Sequence, residues 1–169
     1  MIHTWVQSAG GPLIAVPESE LDGWAGVDDN DGSVETWGDY GRACAVEGYI
    51  GLVAVGAQQA LVLGDEPVMT TYLTNERLFV RWAAAYSETE LVAAARRALA
   101  GRPDDDDDED LIWQVQEAAV LFDSAVPGAE LDPDERFTID LEPGRYRVRS
   151  THVVDEDHRM ILVHLQPEP

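Results

Sequence analysis

"GYIGLVAVGAQQALVLGDEP", residues 48–67, contains two apolar runs of strand length, "GYIGLVAVG" and "QALVLGDEP", each bounded by glycine. Gly56 and the polar pair Gln58-Gln59 lie between them, which predicts a tight connection and an antiparallel hairpin. The second run stops abruptly at Asp65, Glu66 and Pro67. Those two carboxylates fit a reactive pair, metal ligands, a surface held by another protein, or simply the polar end of a strand and its turn.

Downstream the pattern repeats. "MTTYLT" and "RLFVRWAA" form a second expected hairpin across Asn75-Glu76. In it Arg77, Phe79 and Arg81 alternate with Leu78, Val80 and Trp82, which predicts one face with two arginines and an exposed aromatic. A helix is expected over about 87–100. Ser87 and Glu90 have capping-box spacing, and Leu91, Val92, Ala95, Ala98 and Leu99 mark one side. Arg96 and Arg97 lie near its C-terminal end, and Gly101 and Pro103 stop it. "DDDDDED", residues 104–110, is a like-charge run and reads as an exposed acidic loop at about 102–110. "IWQVQEAAVLFDSAVPG" mixes helical and strand signals and is read as two short strands.

In the C-terminal third, Phe137, Ile139 and Leu141 alternate with polar residues, and Pro143-Gly144 makes a turn. "RYRVRS" then places Tyr146 and Val148 inward and Arg145, Arg147 and Arg149 outward, and "MILVHL" follows after another turn. This predicts a three-stranded antiparallel meander. Upstream, "HTWVQSAGGPLIAVP" reads as two short strands joined at Gly10-Gly11. Pro17 opens a short N-terminal helix that puts Leu21 and Trp24 on one face, and residues 27–40 are a polar loop. The "DDNDG" within that loop fails as an EF-hand, because Val27 and Gly38 fall at ligand positions. The expected fold class is α+β. It consists mostly of antiparallel hairpins with one principal helix, in a single domain over 1–169.

Composition narrows the chemistry. There are 33 acidic residues against 11 basic ones, a net charge of −22. Every basic residue other than histidine is arginine, so lysine Schiff-base and P-loop chemistry is excluded. Such a charge repels nucleic acid and anionic membranes, attracts basic partners, and also serves solubility or salt adaptation. No apolar run has the length of a membrane span and the N-terminus lacks signal-peptide regions, so the expected location is the cytoplasm. Cys44 is the only cysteine and reads as a buried thiol. The serine-hydrolase elbow, the Walker loop and the zinc-protease helix motif are all absent. His152 and His164 fall on strands expected to be neighbours and, with the arginine stripe, leave a small-ligand or enzyme site open. The arginines equally suit pairing with the protein's own carboxylates.

The segments "WVQSAGGPLIAVPESELDGWAG", "DYGRACAVEGYIGLVAVGAQQALVLGDEP", "TTYL", "LFVRW", "VLFDSAVPG", "LEPGRYRV" and "MILVHL", in this order, resemble the Immunity protein 21 family of bacterial polymorphic toxin systems. The resemblance covers nearly the whole chain, with the acidic run as an insertion. It implies a small protein that binds and neutralises a cognate toxin. It implies neither catalytic residues nor a metal or other cofactor. A basic, nuclease-type toxin would suit the acidity. The residues expected to touch it are Trp37, Tyr40, Asp65, Glu66 and Trp82, because aromatics beside acidic turns suit the anchors of an interface. Trp5 and Trp24 are expected in the core.

Overall fold

The computed structural model describes residues 3–27, 37–64, 67–101 and 110–169. Ten strands form two five-stranded antiparallel sheets. The first sheet runs β2 (Ile50–Val55), β3 (Gln58–Leu63), β1 (Leu13–Pro17), β7 (Ala119–Asp123), β8 (Phe137–Ile139). The second runs β4 (Thr70–Leu73), β5 (Leu78–Ala84), β10 (Arg159–Glu168), β9 (Gly144–Val154), β6 (Asp110–Val115). Helix α1 (Asp39–Cys44) and a 3-10 helix at Glu18–Gly23 accompany the first sheet, and helix α2 (Glu88–Ala100) accompanies the second.

The opening stretch pairs as its pattern dictates, with Leu52 opposite Leu61 and Val55 opposite Gln58. Its apolar continuity has a layered cause. Leu61 and Leu63 face the inter-sheet core with Phe79, Val148 and Ile161. Ala60 and Val62 face outward into a second cluster with Leu21, Trp24 and Ala43. A third cluster packs Leu91, Val92 and Ala95 of α2 onto Leu78, Val80, Met160 and Leu162. Both sheets therefore bury both faces over much of their area, and at about 25 cal/mol per Å² that apolar burial drives the assembly. The α2 N-terminus is held as its sequence suggests, because Ser87 Oγ accepts the Glu90 amide hydrogen at 3.2 Å. The N-terminal helix is of 3-10 type, and α1 occupies the end of a stretch expected to be loop.

Four expectations are corrected. The Gly10-Gly11 turn does not make a hairpin, since Val6 bridges Thr70 of the second sheet while β1 lies in the first. The C-terminal meander is broken, because β8 pairs with β7 instead of β9, while β9 and β10 pair as expected. Both faces of β5 are covered, so Arg81 is fully buried and Trp82 is half-buried. Arg149, expected outward, is also buried. In each case a long-range partner claims a face that the local alternation leaves open. Most of the acidic loop lies outside the described residues; Asp110, its last member, begins β6 and pairs with Arg147 at the surface. Among the described residues no helix is long and apolar enough to cross a membrane.

Candidate functional site

The connection from β3 to β4 carries the chain from one sheet to the other, and it contains Asp65 and Glu66. Those two residues lie outside the described ones, but the structure defines the ends of their segment. Arg81 on β5 reaches across from the second sheet. Its Nη1 donates to the Gly64 carbonyl at 2.8 Å, its Nη2 to the Leu63 carbonyl at 3.4 Å, and its Nε to Thr70 Oγ1 at 3.3 Å. The next residue, Trp82, donates its backbone N–H to the Met69 carbonyl at 2.9 Å. Two consecutive residues of β5 thus hold both ends of the connection. A charge buried in this way is tolerated when its donors are satisfied, which is what the carbonyls supply.

Trp37 and Tyr40 stand on the first sheet's side of this connection. Their rings stack with centroids 5.9 Å apart and planes 1° from parallel. The Tyr40 ring packs so closely on Gly11 that a side chain there would collide with it. Tyr40, Gly11, Cys44 and Gly64 help line a recess of about 230 Å³. Burial, with smaller contributions from a hydrogen bond to Cys44 and from the charges of Cys44 and Asp123, pushes the Tyr40 phenol up to about 12. Cys44, expected to be buried, is half-buried at the edge of this recess, and burial raises its thiol above the ordinary value. The Trp37 Nε1 is buried without a hydrogen-bond partner among the described residues.

Trp82 points the other way, to the outer face of the second sheet, where its ring meets Trp5 at 5.2 Å. Trp37 and Tyr40 are therefore brought together beside Gly64, whereas the Trp82 side chain lies in a separate aromatic pair. Trp24 is buried as expected, donating Nε1 to the Ser124 carbonyl at 2.8 Å, with Arg42 lying 5.7 Å from its ring centre. Trp5 is only half-buried. Its Nε1 donates to Glu88 Oε1 at 2.8 Å, and the His3 amide donates to the same oxygen, which holds the Glu88 carboxyl below its usual range.

A cavity beside Trp5 carries no signal in the sequence. Trp5, Val6, Val126 and Leu131 give it apolar walls, and Asp123, Asp134 and Glu135 add carboxylates, around about 250 Å³. Its members come from two distant parts of the chain, residues 5–7 and 123–135, and one carboxylate among 33 carries no sequence signal. The proposed histidine site does not form. His152 pairs with Ile161 and His164 with Arg149, and the odd spacing between Arg149 and His152 puts the two histidines on opposite faces of the sheet. Among the described residues no three histidine, cysteine or acidic side chains are grouped to hold a metal ion.

These features define a two-sheet α+β domain in which Arg81 holds one end of the inter-sheet connection and the Trp37–Tyr40 pair stands near it. The chain belongs to the Immunity protein 21 family, whose model matches residues 4–159. Comparison with curated proteins and with solved structures finds no match.

Proposed function

We propose that this chain neutralises a cognate toxin domain of a bacterial polymorphic toxin system by binding it, in the cytoplasm of the cell that makes both. The observation that carries the reading is the family match over residues 4–159. Immunity acts by occupation, so no catalytic group is required of the chain.

The partner we infer is basic, of the nuclease type. A net charge of −22 supports this, because it draws a cationic domain in and repels that domain's nucleic-acid substrate. Steering of this kind takes association towards roughly 10⁸–10⁹ M⁻¹s⁻¹ at low salt. The contact surface we assign is the β3–β4 connection and its flanks: Asp65 and Glu66 as charges, with Trp37, Tyr40 and Trp82 as aromatic anchors. The stacked Trp37–Tyr40 pair beside Gly64 favours the first four, and Trp82 joins them only if the toxin wraps the end of the sandwich.

Co-expression tests the reading. Cells carrying the adjacent toxin gene should survive when this chain is present and die without it. Death in both cases removes the proposal. Replacing Asp65 and Glu66 by Ala should slow association and flatten its salt dependence, whereas truncating an aromatic anchor should chiefly speed dissociation.

A further inference from the structure

The cavity walled by Trp5 lies apart from the expected contact residues but adjoins two of them through its lining. Asp123 is near enough to Tyr40 and Cys44 to act on both electrostatically, and Trp5 packs against Trp82. The cavity thus shares Trp5 with one aromatic pair and has Asp123 close to the other, although no cavity residue was among the expected contacts.

Its lining combines apolar and acidic side chains with one neutral amide, Gln7. Trp5, Val6, Val126 and Leu131 offer apolar contact. The Trp5 indole N–H is already committed to Glu88, so what that residue offers a guest is its ring. The carboxylates differ in their freedom. Asp123 spends both oxygens on backbone amides, Oδ2 on Ala9 at 3.1 Å and Oδ1 on Ala125 at 3.0 Å, so it is a fixed charge. Glu135 caps its 3-10 turn through a long 3.5 Å contact from the Asp132 amide. Asp134 and Glu135 are exposed and stand at the rim.

We infer that this cavity receives a basic side chain, specifically an arginine, of the protein partner. Apolar walls match the three-carbon stem of arginine. An indole ring attracts a guanidinium across its face. Rim carboxylates match the planar fork of donors better than they match the compact, strongly hydrated lysine ammonium. About 250 Å³ admits one long side chain but not a folded segment. The inference rests on the reading that the chain binds a protein, and it names the group by which the partner is anchored.

The test uses the full chain and a probe, capped arginine (N-acetyl-arginine methylamide), followed by ¹H–¹⁵N spectra. The Trp5 indole signal and the Val126 and Leu131 amides should shift saturably. Binding should weaken about tenfold in the Asp134→Asn/Glu135→Gln variant, which removes charge but keeps the capping oxygen of residue 135. Capped norleucine of matched length should bind far more weakly, and sodium chloride at equal ionic strength should not reproduce the shifts. Equal binding of norleucine would make the occupant an apolar side chain and overturn the inference, as would shifts reproduced by salt or unaltered in the variant. Co-expression with the toxin separates the two readings. A chain that protects cells but ignores capped arginine sinks the cavity assignment alone, and one that binds arginine but fails to protect sinks the proposed function.

Discussion

Replacing Arg81 by Met probes the structural basis of the candidate surface. The side chain is fully buried, and Met keeps its unbranched stem while ending short of the guanidinium, so the change removes the charge and donors and leaves the stem's space filled. Two effects oppose each other. Burying a guanidinium carries a desolvation penalty, and its removal is a gain. Against this, the Gly64 carbonyl loses a 2.8 Å bond, and the Leu63 carbonyl and Thr70 Oγ1 lose weaker ones at 3.4 and 3.3 Å. An orphaned buried acceptor costs about 1–3 kcal/mol, so one strong and two weak losses come to about 2–4 kcal/mol before the desolvation gain. The net expectation is a loss of about 2–3 kcal/mol, or a fall in Tm of about 5–10 °C for a chain of this size. Thermal unfolding by circular dichroism measures it, with Thr70→Val as the control that removes one weak acceptor and costs under about 1 kcal/mol. A variant as stable as the parent would refute the reasoning, because it would mean that the guanidinium bonds only offset their own desolvation. Arg81→Met should also weaken toxin binding beyond its effect on stability, since Asp65 follows directly on the carbonyl that Arg81 holds.

Further outcomes follow from single contacts. The Tyr40 phenol is raised from 10.0 to about 12, so folding favours its neutral form; that stability is fully present below pH 10 and is lost as pH rises towards 12. Tyr40→Phe should flatten this alkaline loss in a series of thermal melts. Glu88 has the opposite sign: its carboxyl is held below its ordinary 4.5, chiefly by Trp5, so its contribution is present above that pH and fades as pH falls through the folded value. Hydrogen exchange at the Trp5 indole should accelerate over the same acidic range, and at neutral pH in Glu88→Ala. Gly128→Ala should cost about 2–3 kcal/mol in urea unfolding, because its new methyl meets the Leu21 carbonyl in a packed layer where neither backbone can yield. Unchanged stability there would show that the contact between the 3-10 turn and residue 128 relaxes freely.

The parts legible in the chain are those whose partners are close in sequence. The β2–β3, β4–β5 and β9–β10 hairpins join neighbouring strands through short turns, and their alternation, with glycine or polar residues between, records that pairing directly. The Ser87 cap is a three-residue interaction and leaves the same kind of record. The family was legible too, because a series of segments in fixed order identifies descent without specifying contacts. Pairings between distant segments leave no such trace. Nothing local states that β8 joins β7 instead of β9, that Val6 crosses to Thr70, or that β6 and β7 part into different sheets. The same limit applies to burial. Arg81 alternates like a surface residue, and acceptors that include the Gly64 and Leu63 carbonyls arriving from the opposite sheet give its charge a place inside. Trp5, Asp123 and Asp134 line one cavity because residues 5–7 and 123–135 converge there, and side chains so distant in sequence acquire common walls only when the chain packs.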